Sequence, residues 1–207
     1  MSRERRRSST LRTTVWLGAA FAAGCIPTGR ILTRALTGSS LDELGDGKPG
    51  SANVGRSVSW GAGATVLALD AGKAYVPATL ARLSGASDDL VAAMGITSMA
   101  AHITVVGGRG AACALGAMYA MDAPAMTVGL VPLVGGSFLH RHPQAVAVTA
   151  ASLPLLSWAL HRRFRRGFWT LLLIGVLFAA RLRGTKGSAW PVTAGGWWRR
   201  FWLDRDD

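Results

Sequence analysis

Residues 58–83 read VSWGAGATVLALDAGKAYVPATLARL. The run is predominantly apolar, and about 20 such residues suffice to carry a helix across a bilayer. Asp70 and Lys73 stand inside it. Ionisable side chains at that depth are costly and persist where they pair with each other or face a polar interior. Three residues apart, the two share one face of a helix. The stretch therefore reads as a membrane helix whose charged pair is either a structural ion pair or part of a substrate site.

Composition carries this reading outward. Half of the 207 residues are apolar and 16% are charged, whereas a globular chain carries about 25% charged residues. Lipid is thus the main solvent. The net charge of +12 is gathered into clusters at 3–7, 162–166 and 199–200, between apolar runs. Positive residues so placed flank membrane segments and meet anionic headgroups. Membrane lipids are the expected partner, and nucleic acid is not. The two cysteines, Cys25 and Cys113, lack Cys-x-x-Cys spacing, so neither a disulfide framework nor a metal site is indicated. No cofactor is expected.

Further apolar segments flank the first. Residues 13–26 form one, and apolar character resumes after Pro27 as far as 36. A signal peptide, with Ala22-Ala23-Gly24-Cys25 resembling a lipoprotein cleavage box, competes with an uncleaved first span. The resumption favours the span. Residues 90–106, 111–121, 126–139, 145–160 and 168–182 follow, with Asp122-Ala123-Pro124 between the second and third of these. The expected fold is an all-α membrane protein, a bundle of about seven short transmembrane helices with Gly-rich interhelical loops. Residues 1–12 make a basic N-terminal tail, 13–183 the polytopic membrane domain, and 184–207 a tail. That tail holds Trp190, Trp197, Trp198 and Trp202 beside Arg199 and Arg200. Such rings and cations suit the headgroup zone. Charge leaves the orientation open. The clusters at 3–7 and 162–166 favour an N-terminus inside, while the first glycine loop and the basic tail favour it outside.

Two glycine-rich stretches lie against the apolar segments. Residues 41–57 read as a loop from their Gly, Pro and Asp content. They contain Gly45-Asp46-Gly47-Lys48-Pro49-Gly50-Ser51-Ala52-Asn53-Val54-Gly55-Arg56, and downstream comes Gly107-Gly108-Arg109-Gly110. Glycine lets backbone N–H groups turn toward an anion, and a neighbouring cation supplies countercharge, so both stretches read as phosphate cradles. His102, on an apolar segment, is either a buried hydrogen-bonded residue or a base. His140, His142 and His161 stand beside arginines and read as solvated loop residues.

In order along the chain, these residues resemble the acyl-phosphate:glycerol-3-phosphate acyltransferase family, which are bacterial integral membrane enzymes. The resemblance covers residues 24–184. Cys25-Ile26-Pro27-Thr28-Gly29 is similar to the family's Ser-Ile-Pro-Thr-Gly. The main loop is similar to Gly-Ser-Gly-Asn-Pro-Gly-Ala-Thr-Asn-Val-Leu-Arg, Asp70 and Lys73 to Asp-x-x-Lys, and His102 with residues 107–110 to Gly-His and Gly-Gly-Lys-Gly. Asp46 and Lys48 replace the family's Ser and first Asn, and Arg109 replaces the Lys. The stretch between His102 and Gly107 is shorter, and Gly175 and Phe178 stand where a His-x-x-Asn precedes Arg181-Leu182.

The resemblance implies transfer of a fatty acyl group from acyl phosphate to the 1-hydroxyl of glycerol 3-phosphate, in phospholipid synthesis at a bacterial plasma membrane. It assigns catalysis to Arg56, Arg109 and Asn53, the arginines being suited to clamp phosphate bidentately. Substrate binding falls to Lys48, Gly50, Ser51, Gly107, Gly108, Gly110, Asp70, Lys73 and His102. Two other readings stay open: a catalytically degenerate paralogue that binds phosphate or anionic headgroups, and a small transporter for a phosphorylated solute.

Overall fold

The computed structural model describes residues 3–183, 191 and 193–203. Of the 3–7 cluster only the helical backbone is described, and Trp190 lies outside the described residues. Among them every regular element is helical: α1 (Arg3–Gly24), α2 (Thr28–Thr37), α3 (Ser51–Ser57), α4 (Trp60–Leu83), α5 (Asp88–Ala101), α6 (Ala111–Phe138), α7 (His142–His161), α8 (Phe164–Arg183) and α9 (Ala194–Trp198). A π-helical turn, His102–Val106, prolongs α5. The expected all-α bundle is what forms.

Local chemistry sets the boundaries. Pro27 lacks the N–H a continuous helix would need and stands where α1 gives way to α2. The Ser59 and Ser87 side chains accept from Ala62 N–H and Leu90 N–H, capping α4 and α5. Asp88 and Asp89 in the first turn of α5 face the positive end of its dipole. Residues 41–57, expected to be loop throughout, contain a 3₁₀ turn at Leu41–Glu43 and the short helix α3. Extended Gly50 starts α3, and the glycine and proline before it hide this helix from a compositional reading.

Residues 111–138 hold a reversal. Asp122 leaves helical geometry (φ −155°, ψ 77°), and its carboxylate accepts the Ala125 N–H at 3.2 Å, capping a new helical limb. The limb before it lies against α5, since side chains added at Gly95 and Gly110 would strike Ala117 and Met99. The limb after it lies against α7, where Gly129 faces Leu153, Gly136 faces Ala145, and Ser157 Oγ donates to Asp122 at 2.5 Å. Both partner pairs are antiparallel, and Ala111 and Ala112 share one cavity with Leu133 and His142, so the chain turns back at Asp122. The segments expected at 111–121 and 126–139 are therefore separate limbs, helical over 111–121 and 123–138 and about 16 and 24 Å long.

The limbs alternate between two ends. One end carries the loop after α2, the turn at 107–110, the start of α7 and the end of α8. The other carries the start of α5, Asp122, His161 and the arginines at 162–166. There Arg165 pairs with Asp89, and Trp169 Nε1 donates to Asp89 at 2.8 Å. Helix α1 begins at this second end, with Arg12 beside Gly85, and Arg200 seals the first by donating to the Leu182 carbonyl at 2.9 Å. The 162–166 cluster and the basic tail, which favoured opposite orientations, thus sit at opposite ends.

Small residues let the limbs pack closely. A side chain at Gly116 would penetrate the Ala71 backbone, and one at Gly24 would meet Ser98 and Ala101. Asp88–Val106 and His142–His161 are each long and apolar enough to cross a membrane, and the stretches Ser9–Thr37 and Ala111–Gly136 are so only when counted across the breaks at Pro27 and Asp122. The charged residues Asp70, Lys73 and Arg82 make α4 more polar, and four arginines do so for α8.

Candidate active site

The first glycine loop is built around Asn53, which is only 2% exposed. Its amide donates to the Leu44 and Lys48 carbonyls, each at 3.0 Å. Its Oδ1 accepts from Asp46 N–H at 3.2 Å and Ser57 Oγ at 3.1 Å. Both donors and both lone pairs are engaged. Gly45, at φ +61°, passes so close that any side chain there would overlap Asn53 Oδ1. Asn53 thus shapes the loop from within.

Outward, the loop presents two cations around one carboxylate. Asp46 Oδ2 pairs with Arg56 Nη2 at 3.0 Å and lies 3.9 Å from Lys48 Nζ. Asp46 Oδ1 accepts the Lys48 N–H at 3.2 Å. An internal anion therefore sits among the groups expected to bind an external one. Ser51 opens α3, with Gly50 before it in the N-cap position.

The second turn closes α5. Gly107, at φ +84°, and Gly108 both direct their N–H groups to the His102 carbonyl. These two donors terminate the helix. Gly108 packs flat on the His102 ring, where a methyl group would overlap Nε2. Arg109 is half-buried and close enough to Arg181 for their like charges to be felt.

Beneath that turn lies the ionisable pair of α4. Asp70, Lys73 and His102 are all buried. Lys73 Nζ donates to the Ile26 carbonyl at 2.6 Å, to Thr28 Oγ1 at 3.1 Å and to Asp70, and stands 3.4 Å from His102 Nδ1. Thr28 Oγ1 donates to Asp70 at 2.5 Å. The structural ion pair is the form observed. These residues join α2, α4 and α5 and support the turn through His102.

One cavity adjoins both glycine stretches. Ser51 lines it from the first, and Ala111 and Ala112 line it from the start of α6, directly after the second. Its deeper wall is apolar and includes Leu115, Met118, Met126, Leu153 and Leu177. A polar rim over an apolar chamber can hold an anionic head with its hydrocarbon tail.

His142 also lines this cavity while staying exposed, as its neighbours suggested, but it opens α7 instead of lying in a loop. Its only sequence signal is its place at the start of a helix. His161 likewise binds Asp122, at 2.9 Å. Gly175 faces open space and Phe178 stacks on Phe201 at 4.8 Å, so α8 gives the cavity Ile174 and Leu177 instead. Buried Arg181 donates to the Pro143 carbonyl at 3.0 Å, fixing the start of α7 behind His142. Among the described residues no group of three or more His, Cys, Asp or Glu is placed to hold a metal ion.

The family model described as glycerol-3-phosphate acyltransferase matches residues 14–187. The glycerol-3-phosphate acyltransferase of Geobacter sulfurreducens is 31% identical over 159 residues, covering 74% of this chain and 81% of its own. That of Anaeromyxobacter dehalogenans is 35% identical over 156 residues, covering 70% and 77%. The crystal structure of PlsY, an integral membrane glycerol 3-phosphate acyltransferase, is similar in its glycerol 3-phosphate form with a TM-score of 0.73. The match covers 82% of this chain and 88% of that one at 22% identity. The lysophosphatidic acid form gives 0.71 at 21% identity, covering 82% and 87%. At these identities the structural likeness establishes the fold.

Proposed function

The chain belongs to the glycerol-3-phosphate acyltransferase family, and from that premise we propose that it draws its acyl group from an acyl phosphate at the cavity bordered by both glycine stretches. It is a membrane acyltransferase of glycerol 3-phosphate, and the named activity of its relatives supports catalysis over a merely binding role. The 1-hydroxyl oxygen of glycerol 3-phosphate attacks the acyl carbon, and the bond from that carbon to the phosphate oxygen breaks. Phosphate leaves with the electron pair and carries off the hydroxyl proton, giving lysophosphatidic acid and inorganic phosphate.

An acyl phosphate is already activated, so no protein nucleophile is required. The protein's contribution is to position two anions and stabilise developing charge. Arg56 and Arg109 clamp phosphate, assisted by Lys48, Ser51 and the N–H groups of Gly50 and Gly110. Asn53, Gly107, Gly108, His102, Asp70 and Lys73 hold these groups in place. The acyl chain lies against Met118 and Leu177, continuous with the lipid of a plasma membrane that the chain crosses several times.

The single observation carrying this reading is that Ser51 of the first glycine stretch and Ala111 and Ala112, directly after the second, border one chamber with an apolar interior. The test is incubation of the purified protein with labelled glycerol 3-phosphate and, separately, acyl phosphate, acyl-coenzyme A or acylated carrier protein. Lysophosphatidic acid should form from acyl phosphate. Product from a thioester donor alone would overturn the choice of donor.

A further inference from the structure

We propose that Arg30 is a positioning residue that locks the two phosphate-holding stretches into one site. The proposal rests on the reading that both stretches hold substrate phosphate. Arg30 lies in the first turn of α2, outside either stretch, and its guanidinium joins them. Nε and Nη2 donate to Asp42 Oδ1 at 3.1 and 3.0 Å, while Nη1 donates to the Val106 carbonyl at 2.8 Å.

Each contact is tied directly to its stretch. Asp42 lies in the 3₁₀ turn that opens the first loop, and Gly47 packs on its backbone, where an added side chain would come within 3.1 Å of the Asp42 carbonyl. Val106 is buried and immediately precedes Gly107. Gly29, beside Arg30, presses on the Pro49 carbonyl so closely that no side chain would fit. Helix α2 is thus seated on the first loop while its arginine reaches the second turn, 76 residues away in sequence.

The chemistry requires arginine. A planar fork of five N–H donors can grip a carboxylate with one edge and a carbonyl with the other. Lysine concentrates its donors at one point and holds one partner at the expense of the other. The Arg30 and Asp42 side chains are 36% and 55% exposed, and pairs this open add little to overall stability. The effect of Arg30 therefore lies in the relative placement of the two stretches.

The experiment compares wild type, Arg30→Ala, Arg30→Lys, Asp42→Asn and the Arg30→Ala/Asp42→Asn double variant, each as purified full-length protein. Initial rates are measured with acyl phosphate and glycerol 3-phosphate varied independently, alongside thermal melting. Arg30→Ala should raise KM for both substrates about tenfold, with kcat at saturation changed less than threefold and the melting temperature shifted by a few degrees at most. Arg30→Lys should recover only part of the loss, and the double variant should match Arg30→Ala. KM values within twofold of wild type for Arg30→Ala, or a rise for one substrate only, would overturn the bridge. So would independent, multiplying effects in the double variant. If Arg30→Ala does not accumulate folded, Arg30→Lys and Asp42→Asn decide: a rise in both KM values supports the bridge, and unchanged values overturn it. Wild-type protein that transfers no acyl group would instead overturn the functional reading, and the bridge with it.

Discussion

Replacing Asp46 by asparagine should strengthen substrate binding. The Asp46 carboxylate lies 3.0 Å from Arg56 and 3.9 Å from Lys48, two of the cations assigned to phosphate. A substrate phosphate must displace it or bind against its charge. The Arg56 and Asp46 side chains are 63% and 38% exposed, and ion pairs this open are worth about 0–1 kcal/mol. Removing a competing interaction of up to about 1 kcal/mol lowers KM by at most roughly fivefold, since about 1.4 kcal/mol corresponds to tenfold. Asparagine keeps an oxygen for the Lys48 N–H, so the loop geometry survives. The assay is initial rate against concentration of each phosphate substrate, at low and high salt. KM for the phosphate held by this loop should fall two- to fivefold in Asp46→Asn while kcat stays level. The gap should narrow as salt screens the charges. A raised KM, or lost turnover in folded protein, would refute the reasoning and make Asp46 a contributor to the site.

Four further substitutions probe other parts of the molecule. Gly108→Ala drives a methyl group into His102 Nε2 and should lower kcat/KM more than tenfold while the protein still inserts; Gly72→Ala, which meets nothing within 4 Å, should be neutral in the same assay. Met118→Trp fills part of the apolar chamber and should raise KM for long-chain acyl phosphates more than for short ones, as competition between chain lengths would show. Asp122→Ala removes a helix cap and leaves Ser157 and His161 without their carboxylate. It should destabilise the protein by about 1–3 kcal/mol, seen as a lower melting temperature with KM little changed.

Much of the fold was legible because apolar segments and their breakers have strong chemistry. Asp122 and Pro124 mark a point where a helix must end and another can be capped, and the chain reverses there. The pairing of Asp70 with Lys73 followed from spacing and the cost of burying charge. The site was legible only in outline. Asn53 and the N–H groups of Gly107 and Gly108 have the composition of phosphate ligands, yet their donors are engaged by the loop and the helix end. Composition names a donor without saying which way it points. Helix α3 was masked by the glycines and proline that set its start. His142 and Arg30 escaped because each acts through a tertiary contact, at the cavity wall and between two distant stretches, that no local pattern encodes.

The most direct test of the central claim is acyl transfer by Arg56→Ala, Arg109→Ala and the double variant, with each confirmed to be inserted and folded. If the two stretches hold phosphate in one site, each single variant should lose at least a hundredfold in kcat/KM. The double variant should lose less than the product of the two, because interacting residues are not additive. Near-wild-type turnover in both single variants would contradict the account.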